Sequence, residues 1–343
     1  MCTMPKRLAG KAADWIGRFV RGLQPGSPHD SGSADYEDRL EKVREVWNQQ
    51  AGTWSVNRGR HWLENPAVQQ RINFKVVGAL DQDRFQYFIK KYVPAGRLLE
   101  RVLTLGCGSG DFERGLAKYD VVRLHEAVDI AEGAIEKAKR AAEELNLTHI
   151  RYRVADLNRL TLESNAYDVI FSISSVHHVA ALERLFDVVR AALKPGGYFF
   201  LDEFIGPDQF QWSDEQLRLA NEMLESLPSA YRQSITKPGE LKAPILRPSL
   251  EQMCAGDPSE AIRSAEIVPL LGQRFEIVEF KGYGGSLLHL LLEDIAGNFQ
   301  STDAESMRWL ERIFETEDAL ISSGRLQHDF GIVIARRKAA ESE

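Results

Sequence analysis

The chain has 343 residues, 43% of them hydrophobic and 27% charged, the balance of a soluble globular protein and not of a collagen-like, coiled-coil or disordered one. Its net charge of −7 argues against a general nucleic-acid binder, because neutralising phosphates takes a surplus of Lys and Arg. Three cysteines, Cys2, Cys107 and Cys254, are odd in number and widely scattered, which indicates neither a disulfide framework nor a zinc cluster and suits a cytoplasmic setting.

Residues 6–23 put Leu8, Trp15, Ile16, Phe19 and Leu23 on one helical face and Lys6, Arg7, Lys11, Arg18 and Arg21 on the other. The stretch PGSPHDSGSAD that follows reads as a tether. A basic amphipathic helix on a tether fits peripheral contact with the inner face of a membrane, worth about 1 kcal/mol per basic residue. A helix docked on its own domain fits equally. No apolar run approaches the roughly 18 residues that span a bilayer, and Asp14, Arg18 and Arg21 interrupt the apolar centre a secretory signal would need.

Helical periodicity runs from Tyr36 through Leu40, Val43 and Trp47, and again over RFQYFIKKYV at 84–93. Between them TWSVNRGRHWLENP (53–66) is too polar for a core element and reads as a closing loop. Strand and helix signals alternate from 101 to 204, which predicts βαβ units and a parallel sheet covered on both faces. The alternation stops at 206–272, a mostly helical insertion in which Ser213 and Gln216 have the spacing of a capping box. FEIVEFKGY (275–283) and FGIVIARRK (330–338) restore strand character, with two helical stretches between them.

The chemistry is concentrated in LTLGCGSGDFERGLA, 103–117. A strand ends, Gly106, Gly108 and Gly110 follow at alternate positions, and a helix begins. Such a turn lets a ligand lie on bare backbone facing helix N-terminal amides. Dinucleotide binding wants its third glycine one place later, where this chain has Asp111. Asp129 ends the second strand in EAVDI and Asp156 ends the third in YRVADL. YDVIFSISSVHH (167–178) and LKPGGYFFLDE (193–203) supply the fourth and fifth.

Together these segments resemble the class I S-adenosylmethionine-dependent methyltransferases. The resemblance implies an α/β fold, a Rossmann-like, seven-stranded, mostly parallel sheet with helices on both faces. It implies a core at 95–205 and 273–338, a helical cover at 36–94 behind residues 1–35, and a helical lid at 206–272. The cofactor would be S-adenosyl-L-methionine, held by Gly106, Cys107, Gly108, Ser109 and Gly110, with Asp129 on the ribose and Asp156 on the adenine amino group. Ile130, Leu157 and Ser174 would flank it. Cys107 is a small turn residue in this reading. The chain departs from the family at Thr104, where an acidic residue is common. HWLENPAVQQRIN (61–73), DPSEAIRSAEIVPLL (257–271) and GYGGSLLHLLL (282–292) resemble a bacterial subgroup acting in polysaccharide or other secondary-product pathways.

The implied activity is methyl transfer to a small-molecule or glycan-linked acceptor, at oxygen with general-base assistance, and without nucleic acid. His177 and His178 follow the fourth strand at the edge where acceptor meets cofactor, and an imidazole takes a proton at neutral pH. The same pair also suits mere shaping of the pocket. Asp202 and Glu203 leave the fifth strand toward that edge, as base, as hydroxyl-orienting groups, as ligands of a divalent cation, as a cap or as partners of Arg263. Trp62, Arg263, Tyr283 and His289 are candidates to touch the acceptor, with His61 and Glu266 nearby in sequence. No metal centre is expected. A carbon or nitrogen methyltransferase of a lipid- or quinone-like substrate, and a cofactor-binding protein without turnover, stand as alternatives. Homodimers are common in this fold, and no heptad seam marks an interface here.

Overall fold

The computed structural model describes residues 34–50, 59–79 and 82–338. The basic stretch 6–23, its tether and most of the polar segment before His61 lie outside the described residues.

Seven strands form one sheet: β1 (Val102–Leu105), β2 (His125–Asp129), β3 (Ile150–Val154), β4 (Tyr167–Ile173), β5 (Leu193–Phe204), β6 (Glu276–Gly284) and β7 (Phe330–Arg336). Their spatial order is β3-β2-β1-β4-β5-β7-β6. The first five run parallel, and β7 enters antiparallel between β5 and β6. The winding direction reverses between β1 and β4, so their C-terminal tips part and leave a crevice, the place where open α/β sheets bind ligands. Strands β1, β4 and β7 are apolar almost end to end because helices cover both their faces.

Alternation along β5 divides the core into two layers. Phe199 and Leu201 face α6 (Leu182–Ala192), whose Leu182, Leu185, Phe186 and Val189 recur at helical spacing and are all buried. Phe200 faces the other layer, where Phe88 of α3 (Arg84–Tyr92) packs edge-on against Phe171 and Phe200. Helices α1 (Ala34–Gln50) and α2 (Pro66–Val77) precede α3. Helices α4 (Asp111–Ala117) and α5 (Glu132–Glu144) follow β1 and β2. The stretch after β5 carries α7 (Asp214–Ser226), α8 (Leu250–Ala255) and α9 (Ile267–Arg274), and α10 (Leu288–Leu292) and α11 (Ala304–Ser322) join β6 to β7.

Two sequence expectations shift. Ile267, Val268 and Leu271 of α9 are buried in the same layer as α6, so the insertion ends before α9 and that helix belongs to the core. Ser213 does cap α7 by accepting from Gln216 N, but the Gln216 side chain turns inward to Ser286 O and Asp329. Its buried amide needs partners inside the fold and is not spent on the cap. The reciprocal box forms instead at Ser249 and Gln252 on α8.

Candidate active site

The glycine turn sits at the tip of β1. Gly106 has φ +68, and a Cβ there would lie 2.2 Å from Ser175 Cβ, so the close approach of β1 to the β4 tip requires a glycine. Gly108 has φ +51 with nothing within 4 Å of an added Cβ. Its outer face is open, as a backbone-bound ligand needs. Cys107 N donates to Val128 O, Gly108 N to Asp129 Oδ2 and Ala131 N to Asp129 Oδ1. The Asp129 carboxylate is thereby fixed at the crevice with lone pairs left over for two hydroxyls. Burial pushes the Cys107 thiol well up, consistent with a turn residue. Arg114 braces the turn through Ser109 O. Below it the fully buried Glu113 of α4, its pKa raised by burial to about 7, lies beside Thr104, so a carboxyl absent from position 104 arrives from the helix.

Asp156 caps the 3₁₀ turn Leu157–Arg159 through Asn158 N, and its Oδ2 accepts the phenol of Tyr36 at 2.6 Å. Tyr36 belongs to α1, which also bonds Gly133 N through Asn48, reaches Cys254 O through Lys42, and sets Trp47 edge-on to His178 at 4.9 Å. One helix therefore lies over the crevice from Asp156 to the histidine pair. Ile130 and Leu157 are half-buried beside the two acids, whereas Ser174 is exposed, at φ +51, with its N–H on Asp202 O.

His177 and His178 form a 3₁₀ turn directly after β4. Glu203 is buried beneath it. It accepts from Ser172 Oγ, Ser175 N and Val176 N, and meets His177 Nδ1 at 2.8 Å. Burial alone would raise Glu203; the His177 contact and these donors outweigh it and hold the carboxyl below its usual range. Burial likewise opposes a charged His177, but Glu203 wins and its pKa rises. Burial and the neighbouring His177 push His178 down to about 4. Residues 257–262 close the far side: Ser259 Oγ meets His178 Nδ1, Ile262 N donates to His177 O, and Glu260 faces both rings.

Asp202 and Glu203 do not work as a pair. Successive strand residues point to opposite faces, so Glu203 joins the histidines while Asp202 turns to the α3 layer. There its carboxylate takes Arg84 Nε at 2.5 Å and the Tyr283 phenol at 2.7 Å. This corrects the expectation that both acids leave toward one edge. It also removes Tyr283 from the acceptor group. Arg263 contacts neither acid; it is spent on Glu183, Glu266 and Ala180 O. Trp62 and His289 are brought together at 6.1 Å in a buried aromatic cluster with Phe204 and Phe330. Phe204 also borders His177 at 6.3 Å, so the cluster adjoins the histidines. Burial takes His289 down to about 3 and His61 to about 4. Glu260, Tyr36 and Trp47 escaped the sequence reading, although Glu260 lies in the segment 257–271 and both aromatics lie on a periodic face.

The open Gly108 face, the two strand-tip carboxylates and the bare turn fit the adenosyl cofactor that the resemblance implies. Residues 103–201 match the family described as a methyltransferase domain. A ubiquinone biosynthesis O-methyltransferase of Coxiella burnetii is 32% identical over 136 residues, 40% of this chain and 54% of that protein. A sterol 24-C-methyltransferase of Candida albicans is 25% identical over 144 residues, 40% of this chain and 37% of that one. The chain thus spans about half the length of the first of these relatives, or less. A solved S-adenosylmethionine dependent methyltransferase from Mesorhizobium loti is 21% identical, with a TM-score of 0.44 over 76% of this chain and 100% of that one.

Proposed function

We propose that this chain, whose core is a class I S-adenosylmethionine-dependent methyltransferase domain, methylates an oxygen of a small-molecule or glycan-linked acceptor. One observation carries the reading. Ser175 packs against Gly106 of the cofactor turn and, through its N–H, holds Glu203, which holds His177. A single residue thus joins the cofactor seat to an imidazole–carboxylate wall.

When bound, S-adenosylmethionine supplies an electrophilic methyl group. The chain's residues bind, align and shield. Backbone at 106–110 seats the cofactor, Asp129 takes the ribose hydroxyls and Asp156 the adenine amino group. Helix α1 and residues 254–262 cover the crevice. Alignment of the two reactants is worth on the order of 7–11 kcal/mol of barrier. The Nε2 edges of His177 and His178, with Glu260, face the side from which a hydroxyl must lose its proton, a step worth about 10²–10⁴-fold.

The Coxiella relative, a ubiquinone biosynthesis O-methyltransferase, supports oxygen as the target. A second reading, carbon or nitrogen methylation of a lipid- or quinone-like acceptor at a membrane surface, draws on the aromatic cluster beside His177. Among the described residues no helix is long and apolar enough to cross a membrane; in this reading the contact is peripheral, through residues 6–23.

Calorimetry with S-adenosylmethionine tests the cofactor seat: Asp129→Ala loses about 1–3 kcal/mol of affinity, and unchanged binding overturns the ribose assignment. Transfer of a carbon-13 methyl group to a panel of phenols, sugars and sterols tests the target atom. A methoxyl resonance supports oxygen, and a C-methyl resonance hands the case to the second reading.

A further inference from the structure

We infer that His177, His178 and Glu260 bind one divalent first-row transition metal ion on the acceptor side of the crevice. The site stands on its own geometry; its use in methyl transfer rests on the function proposed above.

The three groups offer ligand atoms that all lie within 4.8 Å of one another. Glu260 Oε1 is 3.6 Å from His177 Nε2 and Glu260 Oε2 is 3.9 Å from His178 Nε2. Both distances are too long for hydrogen bonds. They are close to the span across a metal ion, since bonds of about 2.0–2.2 Å set tetrahedral neighbours about 3.4 Å apart.

The bonding behind each ring fixes what it presents in front. Glu203 is a carboxylate and can only accept, so the His177 proton sits on Nδ1 at 2.8 Å. Ser259 spends its one hydroxyl hydrogen on Asp257 Oδ1 at 2.6 Å. Toward His178 Nδ1, at 3.0 Å, it can therefore only accept. In its neutral form each imidazole thus turns an Nε2 lone pair toward Glu260. Three electron-rich groups then converge with no other donor between them among the described residues, which calls for a cation.

The surroundings are those of a metal site. Metal-binding histidines characteristically give their second N–H to a carboxylate or a carbonyl. Glu203 serves His177 in this way, and Ser259 with Asp257 serves His178. Asp257 Oδ2 belongs to this outer support: it is buried, has no hydrogen-bond partner among the described residues, and stands 3.7 Å from His178 Nδ1. Two imidazoles and one carboxylate suit zinc, iron, cobalt or manganese better than magnesium or calcium, which prefer oxygen.

Three protein ligands leave positions open for the acceptor. A hydroxyl bound there is acidified by the ion and gives its proton to water. Its oxygen pair then forms the new O–CH3 bond, and the electron pair of the broken C–S bond stays on sulfur, leaving the thioether. Two ligands come from the β4 tip and one from the insertion, so the ion would also clasp the insertion to the core.

The full-length chain, stripped with chelator and freed of it, is titrated with zinc chloride by calorimetry and with cobalt chloride by visible absorption. The expected result is one equivalent bound, with cobalt d–d bands and no thiolate charge-transfer band, which excludes Cys107 and Cys254 as ligands. Glu260→Gln, a partly exposed and conservative change, weakens uptake by at least about tenfold, and His178→Ala removes it. Asp129→Ala keeps metal uptake while losing cofactor affinity. No uptake, equal uptake by Glu260→Gln and wild type, or a thiolate band overturns the inference, a bare proton on His177 Nε2 then being the cation. Uptake without methyl transfer to any acceptor removes the proposed function and leaves the metal site standing. Methyl transfer that survives chelator, without uptake, does the reverse.

Discussion

Tyr36 and Asp156, 120 residues apart in sequence, are joined by a 2.6 Å hydrogen bond in which the phenol donates to Oδ2. Burial, reinforced by the Asp156 contact, pushes the phenol pKa up, so Tyr36 remains a donor throughout the ordinary pH range. Trp47, about 16 Å further along α1 by helix rise, touches His178. The helix is therefore fastened at Asp156, the proposed adenine end of the crevice, and rests on His178 at the proposed acceptor end. If the cofactor lies beneath this helix, its release should loosen one of these attachments.

Tyr36→Phe keeps the ring and its stacking under Arg159, 4.3 Å from the ring centroid, and removes only the donor. A hydrogen bond to a charged acceptor is worth about 1.5–3 kcal/mol. Dissociation of S-adenosylhomocysteine in stopped-flow should speed up by roughly 10- to 100-fold. The melting temperature should barely move. An unchanged off-rate would mean that α1 is a fixed wall and no cover.

Gly106→Ala and Gly108→Ala should separate folding from binding. Both residues have positive φ, so each alanine costs about 1–2 kcal/mol in backbone strain. At Gly106 the new methyl also lands 2.2 Å from Ser175 Cβ, and the β1 and β4 tips must move apart. Thermal unfolding should report a larger loss there. At Gly108 the methyl meets open space, so the protein folds with only the strain cost. Calorimetry should then show a fall in cofactor affinity that exceeds the stability loss. Equal affinity for Gly108→Ala would move the cofactor away from this face.

The alternation of strands and helices and the two strand-tip acids are legible because each depends on local pattern: alternating strand and helix signals, three glycines, and Asp129 and Asp156 at strand ends. What the side chains meet across the crevice is not. Asp202 and Glu203 look like a pair in sequence, and only the pleat of β5 shows that they face opposite layers. Arg263 looked available, but beside its local partner Glu266 it is claimed by Glu183, which meets it only because the segment after β5 returns onto α6. Glu260 and Tyr36 gain their roles from packing more than eighty residues away along the chain. Nothing in their immediate neighbours marks them.

Glu113 gives the fold a pH dependence of known sign. Burial raises its pKa from 4.5 to about 7. Between these values the folded chain keeps a proton that the unfolded chain has released, so stability falls as pH rises through the interval. Above about pH 7 the full penalty applies, on the order of 3 kcal/mol. Glu113→Gln removes it. The variant should melt higher than wild type near pH 8 and much the same near pH 4, measured in matched buffers without cofactor. Parallel melting curves at all pH values would show that Glu113 titrates normally.

Asp202 and Arg84 offer a test of whether the buried acid of β5 is structural. Arg84 Nε and the Tyr283 phenol together occupy both oxygens of Asp202, and the carboxylate is 2% exposed. Arg84→Met strands a buried charge and should cost about 3–5 kcal/mol. Asp202→Asn strands the guanidinium, with Gln69 and Asn73 as its remaining side-chain acceptors. The double variant should cost clearly less than the two single costs added, because no unpaired charge remains, and denaturant titrations of all four proteins measure that coupling. Asp202 lies on the opposite face of β5 from His177 and Glu203. Turnover per folded molecule in Asp202→Asn should therefore stay within about threefold of wild type at a temperature where both are folded. A fall of tenfold or more with the fold intact would return Asp202 to the reacting groups. It would also require α3, which carries Arg84, to take part in placing the acceptor.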